Sequence, residues 1–79
     1  MYFVYVLTSE SFNRYYIGIS DNLDRRLTEH NSGKTKSTKH YRPWKLYFSE
    51  TFDNRIKARE REKYLKSGIG REYIKDQAR

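Results

Sequence analysis

The chain has 79 residues, with 17 Lys or Arg against 10 Asp or Glu, giving a formal net charge of +7 when both histidines are neutral. One small domain with a thin core is the most this length supports, while a 16% aromatic content argues against disorder. The absence of cysteine excludes disulfides, thiolate nucleophiles and Cys-based zinc sites, and no apolar run approaches the roughly 18 residues of a membrane span.

The expectation is therefore a single cytoplasmic domain over residues 1–79, with no signal peptide at its Met1 start. Its excess positive charge calls for an anionic partner rather than a membrane.

Tyr2 to Leu7 is apolar or aromatic throughout, as in a strand buried on both faces. A polar turn at Thr8–Asn13 precedes a second strand, Arg14–Ile19, and the short separation predicts an antiparallel hairpin. Ser20, Asp21 and Asn22 are N-cap candidates for a helix from about Leu23 to Asn31, with Gly33 as its stop. Trp44–Phe52 reads as a third strand. Asp53 or Asn54 can cap a second helix, roughly 55–67, ended by Gly68 and Gly70, and Arg71–Ala78 forms a short last helix. The order β-β-α-β-α with a short C-terminal helix makes an α+β fold.

Between the first helix and the third strand, residues 34–45 carry four Lys and one Arg, interleaved with His40, Tyr41 and Trp44. Cations meet phosphates and aromatic rings stack on unpaired bases, so Lys34, Lys36, Lys39, Arg42 and Trp44 are candidate nucleic-acid contacts. The competing reading is a solvated basic loop with Trp44 entering the strand.

At about 100° per residue, Leu23, Arg26, Leu27 and His30 share one face of the first helix, with Arg25 and Glu29 opposite. An inward cation needs a partner or a job, unless Arg26 reaches from the edge of the stripe to water. In the second helix Ala58, Glu62, Leu65 and Ile69 fall on one stripe, which Glu62 interrupts, whereas Glu60 lies among solvated neighbours. Glu62 can face a metal, a salt bridge to Arg26, or water. One Glu, one Arg, one His and several Tyr suit phosphodiester cleavage: the Glu holds Mg²⁺ or Mn²⁺ through oxygen, the Arg neutralises the scissile phosphate, and a Tyr or His handles the proton of water.

In order and at spacing, five segments resemble the GIY-YIG nuclease domain, near its small stand-alone bacterial members related to the incision module of nucleotide-excision repair. They are Phe3-Val4-Tyr5, Tyr16-Ile17-Gly18, Arg26, His30 one turn later, and Ala58–Lys66 around Glu62. The resemblance implies a three-stranded antiparallel sheet flanked by helices. It also implies a metal-dependent endonuclease of weak sequence specificity, acting on DNA, with single-stranded and branched forms among the candidate substrates. Carried over, Arg26 is the catalytic Arg, Glu62 the ligand of one divalent ion, and Tyr5 or Tyr16 the group that helps deprotonate the attacking water, with His30 relaying the proton from Tyr5. No small-molecule cofactor is implied.

Phe3 stands where the family motif has Gly, and no Asn follows Glu62 to support the site, the last Asn being Asn54. The alternative is accordingly a nucleic-acid-binding module of the same fold without turnover. A lone Glu is also a weak cage for Mg²⁺, so little metal binding is expected without nucleic acid.

Overall fold

A computed structural model describes residues 1–77. The elements are β1 (Tyr2–Ser9), β2 (Tyr15–Ser20), α1 (Leu23–Asn31), β3 (Trp44–Phe52), α2 (Arg55–Lys66) and α3 (Gly68–Gln77), with a single 3-10 turn at Lys39–Tyr41. The strands form one antiparallel sheet in the order β2-β1-β3. The most apolar segment of the sequence is thus the central strand, which explains why both parities of β1 are apolar. Val4 and Val6 pack beneath Ala58, Leu65 and Ile74 of α2 and α3. Tyr5 and Leu7 point to the other face, under Leu23, Leu27, Tyr41 and Trp44. Burying side chains of this size is worth about 1.5–3 kcal/mol each, so a chain this short depends on both layers.

Side-chain caps set the helix starts. Asn22 Oδ1 accepts from the Arg25 amide at 3.0 Å and Asn54 Oδ1 from the Lys57 amide at 2.9 Å, each worth about 1 kcal/mol. α1 stops where Gly33 enters the left-handed region at φ 84° and the Lys34 amide reaches back to the Glu29 carbonyl at 3.2 Å. On the far side of the sheet, Arg61 chelates both carboxylate oxygens of Glu50 at 2.7 and 3.1 Å and lies over the rings of Tyr64 and Tyr73, tying β3 to α2 and α3.

Two sequence expectations need correction. Gly68 and Gly70 do not follow a helix extending to about residue 67 as simple stops. α2 ends at Lys66, Ser67 is extended, and α3 begins at Gly68 and runs longer than expected; the expected end of that helix at Ala78 lies outside the described residues. A Cβ on Gly70 would strike the Tyr64 carbonyl oxygen, so this glycine serves close packing of α3 on α2. Because α2 has already ended, Ile69 leaves the apolar stripe and is 72% exposed.

The second correction concerns Trp44. Its ring is buried, and its Nε1 donates to the Thr38 carbonyl at 2.9 Å, so it is a core anchor with no face open for a base. Asn31 holds the same residue by both ends of its amide, accepting from the Trp44 N–H at 2.6 Å and donating to its carbonyl at 2.9 Å. The local interleaving of cations and aromatics concealed this burial.

Candidate active site

A cleft of about 450 Å³ opens beside the edge strand β2, where a helix from each face of the sheet contributes to one hollow. Tyr5 of β1, Tyr16 and Gly18 of β2, Arg26 of α1 and Glu62 of α2 all line it. His30 lies behind Tyr5, fully buried. The structure thus gathers Tyr5, Tyr16, Arg26, His30 and Glu62 into one place. Lys34, Lys36, Lys39 and Arg42 are exposed on the segment after α1 and do not line this cleft, and Arg42 turns back to donate to the Lys39 carbonyl at 2.8 Å.

The buried side of the cleft is a directed chain of hydrogen bonds. Tyr5 Oη lies 3.2 Å from His30 Nε2, His30 Nδ1 lies 2.8 Å from Thr38 Oγ1, and that hydroxyl donates to the Thr35 carbonyl at 3.3 Å. A carbonyl can only accept, so Thr38 spends its proton there and accepts from His30 Nδ1–H. His30 Nε2 is then the bare nitrogen, and Tyr5 must donate to it. Thr38, in a polar stretch without periodicity, carries no signal in the sequence; only the fold brings it beneath His30.

Burial sets the titration of this chain. It raises the Tyr5 phenol above its ordinary value, outweighing the neighbouring Arg26 guanidinium that pulls it down. It also lowers the His30 imidazole, an effect the positive charge of Arg26 reinforces. Burial thus works against a free phenolate, and at neutral pH both Tyr5 and His30 are uncharged. A proton accepted by Tyr5 therefore has to be matched by one passed on to His30.

Gly18 makes room for the phenol. It pairs directly with Tyr5 across the sheet, and a Cβ at this position would lie 2.5 Å from Tyr5 Oη and 2.7 Å from Cζ. The strand is neither bulged nor ended here; the glycine is needed because an aromatic ring crosses its backbone. Gly18→Ala is expected to cost about 1–3 kcal/mol and to displace the Tyr5 hydroxyl from His30. Denaturant unfolding and the His30 ring chemical shifts check this, and an unmoved His30 resonance would refute it.

Arg26 does not bridge to Glu62. Its Nη1 bonds Glu29 Oε1 at 2.7 Å, leaving the guanidinium flanked by Tyr5 and facing the cleft. Arg25 stands only loosely by Glu29, at 4.0 Å, because it bonds Asp21 at 3.1 Å and also reaches the rim. Arg55 and Arg59 of α2 complete the lining, so four guanidinium groups oppose the carboxylates of Asp21 and Glu62. At about 100° per residue Arg55 falls roughly 20° and Arg59 roughly 60° from Glu62, so both border the stripe that Glu62 interrupts, a periodic signal that the sequence reading did not use.

Glu62 has a side chain 14% exposed and pairs with Lys66 at 3.2 Å and, at 3.9 Å, with Arg59. Among the described residues no group of three or more His, Cys, Asp or Glu gathers as a metal cage. The donor chemistry still fits Mg²⁺ or Mn²⁺, hard ions commonly held by one or two carboxylates, with water and substrate phosphate oxygens filling the other positions.

Comparison with known proteins agrees with this arrangement. The family model described as the GIY-YIG catalytic domain matches residues 1–73. The chain is similar to the UPF0213 protein YazA of Bacillus subtilis, 38% identical over 66 residues covering 82% of this chain and 66% of that protein. It is also similar to the UPF0213 protein YsiG of Lactococcus lactis, 41% identical over 71 residues, 89% of this chain and 67% of that one. This chain thus spans about two thirds of each relative's length. The solution NMR structure of the UPF0213 protein BH0048 from Bacillus halodurans superposes with a TM-score of 0.57 at 29% identity, covering 96% of this chain and 84% of that one. With its two strand motifs paired in one antiparallel sheet and residues 1–73 matched by the family's model, this chain belongs to the GIY-YIG family, whose domains are in general those of nucleases.

Proposed function

We propose that this chain is a single metal-dependent endonuclease domain that hydrolyses phosphodiester bonds in DNA with weak sequence specificity. The observation that supports it best is one cleft in which a carboxylate, Glu62, a guanidinium, Arg26, and two phenols, Tyr5 and Tyr16, face the same hollow.

Glu62 is the residue to hold a divalent ion, which when bound supplies Lewis-acid polarisation of the phosphate and a more acidic water. Arg26 neutralises charge that grows on the non-bridging oxygens as the attacking oxygen bonds to phosphorus and the bond to the departing oxygen breaks. Tyr5 takes the proton of the attacking water while its own passes to His30 Nε2, so no free phenolate forms. His30 then carries a charge that burial and Arg26 both disfavour, so the proton goes back through Tyr5 to water in the cleft, from which the departing oxygen takes up a proton, and the chain is reset. Tyr16 walls the cleft, its ring 4.7 Å from that of His30.

The test incubates the protein with supercoiled plasmid, single-stranded and branched DNA, in Mg²⁺, in Mn²⁺ and in EDTA, beside an Arg26→Ala variant. Metal-dependent cleavage by the wild type that falls about a hundredfold or more in the variant supports the reading. Equal inertness of both proteins on every substrate, with salt-sensitive and metal-indifferent binding retained, selects the non-catalytic binding module instead.

A further inference from the structure

Across Tyr16 from the catalytic cleft lies a second hollow of about 470 Å³. Arg14, Tyr15 and Tyr16 form one wall, and Lys66, Arg71 and Lys75 of α2 and α3 supply cations from the other side. No carboxylate of the described residues lines it. Its cations are lightly compensated: Lys75 meets the exposed Glu72 at 3.8 Å, Arg14 rests over the Tyr41 ring at 4.9 Å, and Arg71 has no ion pair among the described residues. Lys66 joins the two hollows, since its ammonium pairs at 3.2 Å with Glu62 of the catalytic cleft. Four cations converging on one concave wall repel one another until an anion enters.

A nucleic-acid strand with one phosphate beside Arg26 must continue past Tyr16 on one side or the other, and this hollow is the basic surface it meets. We propose that the second hollow seats phosphates flanking the scissile one, with Arg14, Arg71 and Lys75 as its contacts, and that it contributes more to substrate binding than the basic segment after α1. The location of the scissile phosphate rests on the nuclease reading; the hollow's affinity for a phosphodiester strand does not.

Two charge-matched variants test this, Arg14→Gln/Arg71→Gln/Lys75→Gln and Lys34→Gln/Lys36→Gln/Lys39→Gln. Both remove three exposed positive charges, and thermal unfolding confirms that each is folded. Binding of a fluorescent 20-nucleotide DNA is titrated in EDTA from 50 to 200 mM salt. The first variant is expected to bind at least about tenfold more weakly, with a salt slope reduced by about two, while the second stays within about threefold of wild type. Equal losses in both variants, or no loss in the first, overturns the proposal. Because the titration needs no turnover, a protein that binds in this pattern yet never cuts defeats the nuclease reading and leaves this surface assigned.

Discussion

Glu62→Gln is expected to lower DNA cleavage by at least about a hundredfold while leaving DNA binding equal or tighter. The amide keeps the size of the side chain and one acceptor oxygen but removes the formal charge that a divalent ion requires. It also takes one negative charge out of a cleft whose other charged lining is four arginines and Asp21, so an anionic substrate meets less repulsion. Stability should change little: the ion partners of Glu62, Lys66 and Arg59, are more than half exposed, and such pairs contribute about 0–1 kcal/mol. Cleavage rate, affinity in EDTA and unfolding midpoint are measured on the same preparation. Lys66→Ala, which frees the carboxylate without removing it, should retain cleavage at saturating DNA even where the loss of a cation from the second hollow weakens binding. A Glu62→Gln protein that cuts at the wild-type rate in Mg²⁺ removes the metal role from this residue.

How far the sequence carries the argument depends on which interactions are periodic. Helical spacing alone separates Arg26 from its neighbour as the residue sharing a face with Leu23 and Leu27, and separates Glu62 from Glu60, because an amphipathic helix writes its inward face every three or four residues. The central position of β1 is equally legible, since a strand covered on both sides has no polar alternation to show.

Contacts made between elements leave no such trace. Of the two readings of Trp44, a base-stacking contact among cations or a residue entering the strand, the structure bears out the second, and the grip of Asn31, thirteen residues earlier, is what the sequence does not show. Gly18 and Gly70 look like any strand or stop glycine until the Tyr5 ring and the α2 backbone are found against them. Arg55 and Arg59 border the Glu62 stripe, yet which hollow that stripe faces is set only once α2 packs beside β2, and Thr38 matters only through the nitrogen of His30 above it. Tyr5 and Tyr16 were equal candidates on motif alone. The hydrogen bond from Tyr5 to His30 separates them, since none of the hydrogen bonds among the described residues uses the Tyr16 hydroxyl.

Tyr5→Phe is accordingly expected to reduce cleavage by about 10²–10⁴-fold, the range for a lost general acid–base group, whereas Tyr16→Phe retains most of the activity because the ring that walls the cleft remains. His30→Gln keeps an acceptor for the Tyr5 hydroxyl but cannot take up its proton, and should fall nearly as far as Tyr5→Phe. A His30→Gln protein that cuts like wild type reduces His30 to an orienting role.

The pH dependence follows from the same chain. The relay needs neutral His30, whose folded-state value is lowered by burial and by Arg26, so the acid limb of the cleavage profile lies below the ordinary histidine value of about 6.5. Stability has the matching sign. Between about 6.5 and the lowered folded value the unfolded chain binds a proton that the native state refuses, so the contribution of His30 is present above about 6.5 and is lost as pH falls through that window. Unfolding midpoints at pH 7.5 and 5.0 should therefore differ more for the wild type than for His30→Gln, because carboxylate titration is common to both. An equal difference would mean that His30 titrates alike in the folded and unfolded chain, and the lowering by burial and Arg26 on which the acid limb rests would be withdrawn.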